Sequence, residues 1–154
     1  MISTGSITGG GSITGGGSIT VGDVIAEKTY ELSRDSLVRY AGASGDFNPI
    51  HYRDDVAAEV GLPGVLAHGM LTMGLAVQPV VDWIGDSGKI LEYGVRFTRP
   101  VVVDPTSGAT VTVVAKVGAL EPLDGRSEGV ARIDLTVTVN GDTVLGKAQA
   151  RVAV

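Results

Sequence analysis

Residues 69–84 read Gly69-Met70-Leu71-Thr72-Met73-Gly74-Leu75-Ala76-Val77-Gln78-Pro79-Val80-Val81-Asp82-Trp83-Ile84. Met70, Leu71, Met73, Leu75, Ala76, Val77, Val80, Val81, Trp83 and Ile84 fall on nearly every side of a helical wheel. That is the pattern of a helix enclosed by a core. At 1.5 Å per residue the segment spans roughly 24 Å, so it needs an extended surface to wrap it. Pro79 is expected to kink the helix or mark a local break.

The carboxyl-terminal half supplies such a surface. Leu91, Tyr93, Val95 and Phe97 alternate with Ile90, Glu92, Gly94 and Arg96, and Pro100 closes the run. Val111, Val113, Ala115 and Val117 alternate with Thr112 and Lys116. Ala131, Ile133, Leu135, Val137 and Val139 keep strict period two over ten residues against Arg132, Asp134, Thr136, Thr138 and Asn140. Asn140-Gly141 reads as a hairpin turn into a last strand from about Thr143 to Val152. One long helix followed by an antiparallel meander implies an α+β architecture, a curved antiparallel sheet wrapped around a central helix, the hot-dog arrangement. Such a sheet keeps open edges and leaves the helix incompletely covered, so pairing with a second copy or a homologous subunit is expected, with the site near the interface.

Upstream, Val24 to Leu32 reads as a first strand. Ser33 reads as the cap of a helix whose apolar face is Leu37, Val38, Tyr40 and Ala41, with Asp35 placed for the helix dipole. After His51, the residues Asp54, Val56, Ala57, Glu59 and Val60 suggest a short helix ended by Gly61 and Pro63. From Gly5 to Thr20 the chain repeats Gly-Ser-Ile-Thr-Gly-Gly with a period of six, placing serines at Ser6, Ser12 and Ser18. Glycine and hydroxyl residues cannot bury enough apolar surface to offset backbone entropy, so residues 1–17 are expected to be a flexible tail and 18–154 a single domain. A glycine-rich phosphate loop is disfavoured, because no strand precedes the repeat and no Gly-Lys-Ser/Thr follows it.

The 154 residues fit one domain with a real core. A charged fraction of 19%, an apolar fraction of 44% and a net charge of -5 without runs of like charge offer neither a nucleic-acid face nor a basic membrane patch. The absence of cysteine excludes disulfides, thiolate metal sites and a cysteine nucleophile. No apolar run approaches the roughly 20 residues of a membrane span, and no signal-like amino terminus is evident, so a soluble cytoplasmic protein is expected.

The chemistry concentrates in Tyr40-Ala41-Gly42-Ala43-Ser44-Gly45-Asp46-Phe47-Asn48-Pro49-Ile50-His51. A carboxylate, an amide and an imidazole lie within six positions on a segment that Gly45 and Pro49 keep from continuing as helix. Asp46 and His51 differ in charge and basicity, so one can hold a water or hydroxyl while the other moves a proton. The pair suits addition or loss of water. Addition across a double bond conjugated to a carbonyl puts negative charge on the carbonyl oxygen. Backbone N–H groups at the start of the long helix could meet that charge, with Gly69 the clearest choice because it has no side chain to block approach. Each residue also has a plain structural explanation. An Asp near a helix end commonly caps, a lone His is commonly structural, Asn48 before Pro49 is an ordinary turn, and His68 can cap the helix. A metal triad of Asp46, His51 and His68 is a further, disfavoured reading.

Tyr40, Ser44 to His51 and Ala57 resemble the signature of the MaoC-like dehydratases, the (R)-specific enoyl-CoA hydratase or hydratase 2 family. Ala67-His68-Gly69-Met70-Leu71 resembles their second motif. The resemblance covers about Ser18 to Val154. Within the family it is strongest to the B-type subunit of the actinobacterial type-II fatty-acid synthase (3R)-hydroxyacyl-ACP dehydratase, notably in His68 to Gly74, Trp83 to Gly85 and Glu92 to Thr98. It implies a hydro-lyase for (3R)-hydroxyacyl and enoyl thioesters of CoA or acyl carrier protein, with Asp46 and His51 as catalytic dyad. Asn48 would order the loop, the Gly69 N–H would bind the thioester oxyanion, and His68 and Met70 would support substrate binding. Some relatives carry a further hydroxyl residue in the central helix; here Thr72 is the only one from Gly69 to Ile84. No cofactor or metal is implied. The competing readings are a hot-dog acyl thioesterase, or one subunit of a heterodimer, catalytic or tunnel-shaping. Acyl length would follow from tunnel residues such as Met73, Val77, Val80, Val81 and Trp83.

Overall fold

The computed structural model of the chain describes residues 18–122 and 129–154. The tail expectation for residues 1–17 lies outside the described residues. In order, the elements are β1 (Val24–Leu32), α1 (Arg34–Ser44), a 3-10 turn (Pro49–His51), α2 (Asp54–Glu59), α3 (Gly69–Ile84), a second 3-10 turn (Ser87–Lys89), β2 (Ile90–Phe97), β3 (Ala109–Pro122), β4 (Gly129–Val139) and β5 (Asp142–Ala153).

All strand pairs are antiparallel and form one sheet in the order β1-β3-β4-β5-β2. Packed against one face of this sheet, α3 makes the expected hot-dog arrangement. Alternation decides which face is dry. Val111, Val113, Ala115 and Val117 of β3 are fully buried, as are Ala131, Ile133 and Val137 of β4. Each such valine or isoleucine contributes about 1.5–3 kcal/mol of transfer free energy. Asn140 and Gly141 hold φ of 51° and 83°, the left-handed pair that a two-residue hairpin loop requires, and this fixes the β4–β5 register.

Three expectations need correction and one is narrowed. The strands are not a simple meander, because β2 pairs with β5 at the opposite edge from β1 rather than with β3. The segment between β2 and β3 is instead drawn to the chain entering α3, with Ala67 N–H donating to the Val101 carbonyl at 2.8 Å and Val103 N–H to that of Val65 at 2.9 Å. Of the two outcomes expected at Pro79, the local break is absent: α3 runs from Gly69 to Ile84 with Pro79 buried among its packed residues. Nor is α3 enclosed on nearly every side. Thr72, Ala76, Pro79, Val80 and Trp83 are buried, whereas Met70, Gly74, Gln78 and Asp82, each four apart, form an exposed stripe. One sheet from one chain covers one side of a helix. The edge strand β2 shows the same deficit, for Leu91 and Phe97 are both 56% exposed although their alternation marked them as inward.

Two local features matter for the site. On β5 the pairing slips between Ala148 and Leu145 relative to β4 and between Gln149 and Gly146 relative to β2, and Lys147 there adopts a positive φ of 46°. This bulge bends the strand beside Val144 and Leu145, which are both buried. The Tyr93 hydroxyl of β2 donates to the Met73 carbonyl of α3 at 2.8 Å, and burial pushes its phenol pKa up to about 12.

Candidate active site

The loop that carries Asp46 is shaped by the end of α1. Ser33 and Ser36 make reciprocal side-chain bonds to each other's backbone N–H at the helix start. Gly45 at φ 77° closes its end, donating to the Ala41 carbonyl at 2.9 Å. Beyond it the loop is tied by its own side chains. Ser44 Oγ accepts from the Asp46 N–H at 3.1 Å, Asp46 Oδ1 from Asn48 N–H at 3.1 Å, and Asn48 Oδ1 from Ile50 N–H at 3.2 Å. Asn48 caps the 3-10 turn whose last residue is His51. Pro49, with its φ already set, starts that turn.

His51 is oriented from the other side. Its Nδ1 stands 2.7 Å from the Leu66 carbonyl, which can only accept, so Nδ1 carries a proton and Nε2 is the nitrogen left to face the site. Nε2 faces Asp46 Oδ2 at 3.8 Å. The gap exceeds a direct hydrogen bond and suits one bridging water. The His51 side chain is 11% exposed and that of Asp46 51%, so a sheltered imidazole stands beside a solvated carboxylate.

His68 sits at the cap position of α3 but makes no side-chain capping bond there. Its ring, 1% exposed, turns back toward the loop, where Nε2 donates to the Asp46 backbone carbonyl at 3.1 Å. The same ring stacks on His51 with centroids 3.9 Å apart and planes 23° from parallel, and Tyr40 packs against it at 4.9 Å. Ligand atoms of Asp46, His51 and His68 lie within 4.8 Å of one another. Stacked rings, however, direct their remaining lone pairs along near-parallel planes rather than toward one point, which disfavours a convergent metal set.

Gly69 follows at the first position of α3, and its N–H has no hydrogen-bond partner among the described residues. Phe97 crosses close above it, so that an added Cβ would lie 3.0 Å from the ring. Both His51 and Gly69 line a cavity of about 310 Å³, together with Thr72, Phe97, Arg99 and Leu145. Thr72 is buried, with its Oγ1 3.5 Å from the His68 carbonyl. Asp46 is not among the lining residues; its carboxylate stands at the edge, next to the His51 ring.

Asp46, Asn48, His51, His68 and Gly69, named from the sequence, are therefore brought together. Met70 is not, being 59% exposed on the open stripe of α3 and absent from the cavity wall. The helix residues expected to set tunnel depth, Met73, Val77, Val80, Val81 and Trp83, do not line the cavity either; its far wall comes from the β2–β3 connection and β5. The sequence reading missed the Leu66 carbonyl and Arg99, which carry no local signal, and the stack of His68 on His51, for which the neighbouring Gly69 was the only hint.

Among the described residues no helix is long and apolar enough to cross a membrane. The MaoC like domain family matches residues 18–137. The 3-hydroxyacyl-thioester dehydratase X of Mycobacterium tuberculosis is 38% identical over 73 residues, covering 47% of this chain and 25% of that protein. The 3-hydroxybutyryl-CoA dehydratase of Methylorubrum extorquens is 31% identical over 124 residues, covering 79% of this chain and 74% of that protein. A solved structure described as a MaoC-like dehydratase superposes with a TM-score of 0.81 at 38% identity, over 87% of this chain and 40% of that one. The chain thus spans a quarter of the first of these relatives and less than half of that solved structure.

Proposed function

The chain belongs to the MaoC-like domain family, and on that premise we propose that it hydrates trans-2-enoyl thioesters and, in reverse, dehydrates (3R)-hydroxyacyl thioesters, the acyl group being borne on CoA or an acyl carrier protein in fatty-acid metabolism. The observation that carries this reading is the 3.8 Å separation of Asp46 Oδ2 from His51 Nε2, with His51 and the Gly69 N–H on the same cavity. In hydration, a water held between carboxylate and imidazole gives its oxygen to C3 of the enoyl group and one proton to the dyad. A proton returned to C2 completes the addition. Between the two steps the thioester oxygen carries negative charge, which the Gly69 N–H meets. Dehydration runs the same transfers backward: the C2 proton leaves and the 3-hydroxyl departs as water.

Crotonyl-CoA, or a longer enoyl thioester, should lose its conjugated absorbance without release of free thiol. Asp46→Asn and His51→Ala should each lower the rate by about 10²–10⁴ while circular dichroism stays unchanged. Full activity in either variant would refute the dyad, and free thiol would point to a thioesterase instead.

The open stripe of α3 and the apolar edge strand β2, with Met70, Leu91 and Phe97 more than half exposed, support pairing with a second hot-dog unit, a copy of this chain or a homologous subunit. The relatives that run to about twice this length leave room for such a unit within one chain. Light scattering of the chain expressed alone should report twice the 15.7 kDa protomer. A fully active monomer would overturn the pairing, and an inactive chain restored by a homologous subunit would identify a heterodimer.

A further inference from the structure

The side chain of His68 touches both members of the dyad. Its Nε2–H holds the Asp46 carbonyl at 3.1 Å, and its face lies on the His51 ring at 3.9 Å. The Asp46 carbonyl accepts no other hydrogen bond among the described residues. The chain maintains this arrangement against an opposing cost, because His68 Nδ1 is buried and has no hydrogen-bond partner among the described residues. A residue present only to fill the space under Tyr40 and His51 would leave no such orphan; a phenyl or alkyl side chain would fill it without one. A ring retained there despite an unpaired nitrogen is retained for what its other nitrogen and its face do.

We propose that His68 is a positioning residue for the dyad, its Nε2–H fixing the Asp46 backbone and its ring face fixing the plane of His51. The two histidines are locked as opposite tautomers, His51 with its proton on Nδ1 and His68 with its proton on Nε2, since each donates to a carbonyl. Neither ring can then flip without giving up its carbonyl. The Asp46–His51 gap is thereby held at the width of one water, and catalysis depends on that width. This inference rests on the dyad reading above, while the tautomers themselves do not depend on any activity.

The chain contains only two histidines, so a long-range 1H–15N spectrum resolves both rings. With both rings in the neutral form, it should show one Nδ1–H and one Nε2–H tautomer. The same tautomer for both, or free exchange between tautomers, would overturn the proposal whatever the substrate. His68→Phe keeps the stacked face and removes the donor; His68→Gln keeps a donor near the Nε2 position and removes the face. With an enoyl thioester, His68→Phe should lower kcat about tenfold or more with KM within about twofold, the split expected when alignment rather than binding is lost. His68→Gln should recover part of that loss. In an Asp46→Asn background, His68→Phe should cost little further, because its effect runs through Asp46. Wild-type kcat in His68→Phe, a change in KM alone, or a loss that only follows the folded fraction in a thermal melt would each refute the positioning role. A wild-type protein inactive on every enoyl thioester would count against the dehydratase reading and leave the tautomer result to decide the arrangement by itself.

Discussion

Gly69→Ala separates the stability of the fold from the chemistry of the site. The new methyl would stand 3.0 Å from Phe97 Cε1, 3.3 Å from Cδ1 and 3.5 Å from Cζ, with no backbone atom in its way. Phe97 is 56% exposed on an edge strand, so its ring can shift by the few tenths of an ångström needed. Alanine also favours helix over glycine, by up to about 1 kcal/mol in an interior position. The two effects oppose each other, and the net stability change should stay within about 1 kcal/mol, or roughly 3 °C in melting temperature for a domain of this size. Turnover should respond very differently. The methyl and the displaced ring both enter the cavity beside the free N–H that would receive the thioester oxygen. Loss of one such donor costs about 10²–10³ in kcat, some 2.7–4 kcal/mol. The paired measurement is a thermal melt and the decay of enoyl absorbance. A variant with unchanged melting temperature and wild-type turnover would refute the placement of the oxyanion at Gly69.

Gly108→Ala should behave in the opposite sense, destabilising the fold by about 2 kcal/mol or more. Gly108 holds φ +72°, and a Cβ would overlap the Leu32 carbonyl oxygen, a backbone atom that cannot yield; an unchanged urea midpoint would contradict this. Tyr93→Phe removes the bond to the Met73 carbonyl and should cost about 1 kcal/mol near neutral pH. The same phenol has a folded-state pKa of about 12 against an ordinary 10.0. Its contribution is therefore complete below pH 10 and lost as pH rises toward 12. Urea titrations across that window should show the wild-type protein losing stability more steeply than Tyr93→Phe, and parallel curves would rule the linkage out.

The elements of this fold were legible where local chemistry settles them. Ser33 and Gly45 bracket α1, Asn140-Gly141 can adopt only a few turns, and the alternation from Ala131 to Val139 admits one buried face. Strand order was not, because no local pattern says that Ile90–Phe97 will pair with β5 rather than β3. That choice depends on where the connecting residues 101–103 dock, a contact with residues 65–67 remote in sequence. Leu91 and Phe97 misled for a related reason: alternation marks a face as apolar but cannot say whether this chain or another covers it. At the site, residue types and spacing selected Asp46, His51 and Gly69, but neither tautomer could be read in advance. His51 takes its orientation from a backbone carbonyl, and the side chain of Leu66 gives no sign of it.

The bulge on β5 has a consequence for chain length rather than for chemistry. Leu145 and Ala148 both point inward although three positions apart, because Lys147 is the extra residue between them. Removing Lys147 would place those two side chains at the ordinary spacing of two and leave every neighbour on its present face. The strand can shorten by one residue without exchanging its wet and dry sides, whereas a deletion in the regular run of β4 would turn the remainder of that strand inside out. What such a deletion would remove is the bend, and with it the curvature of the wall where Val144 and Leu145 meet the cavity.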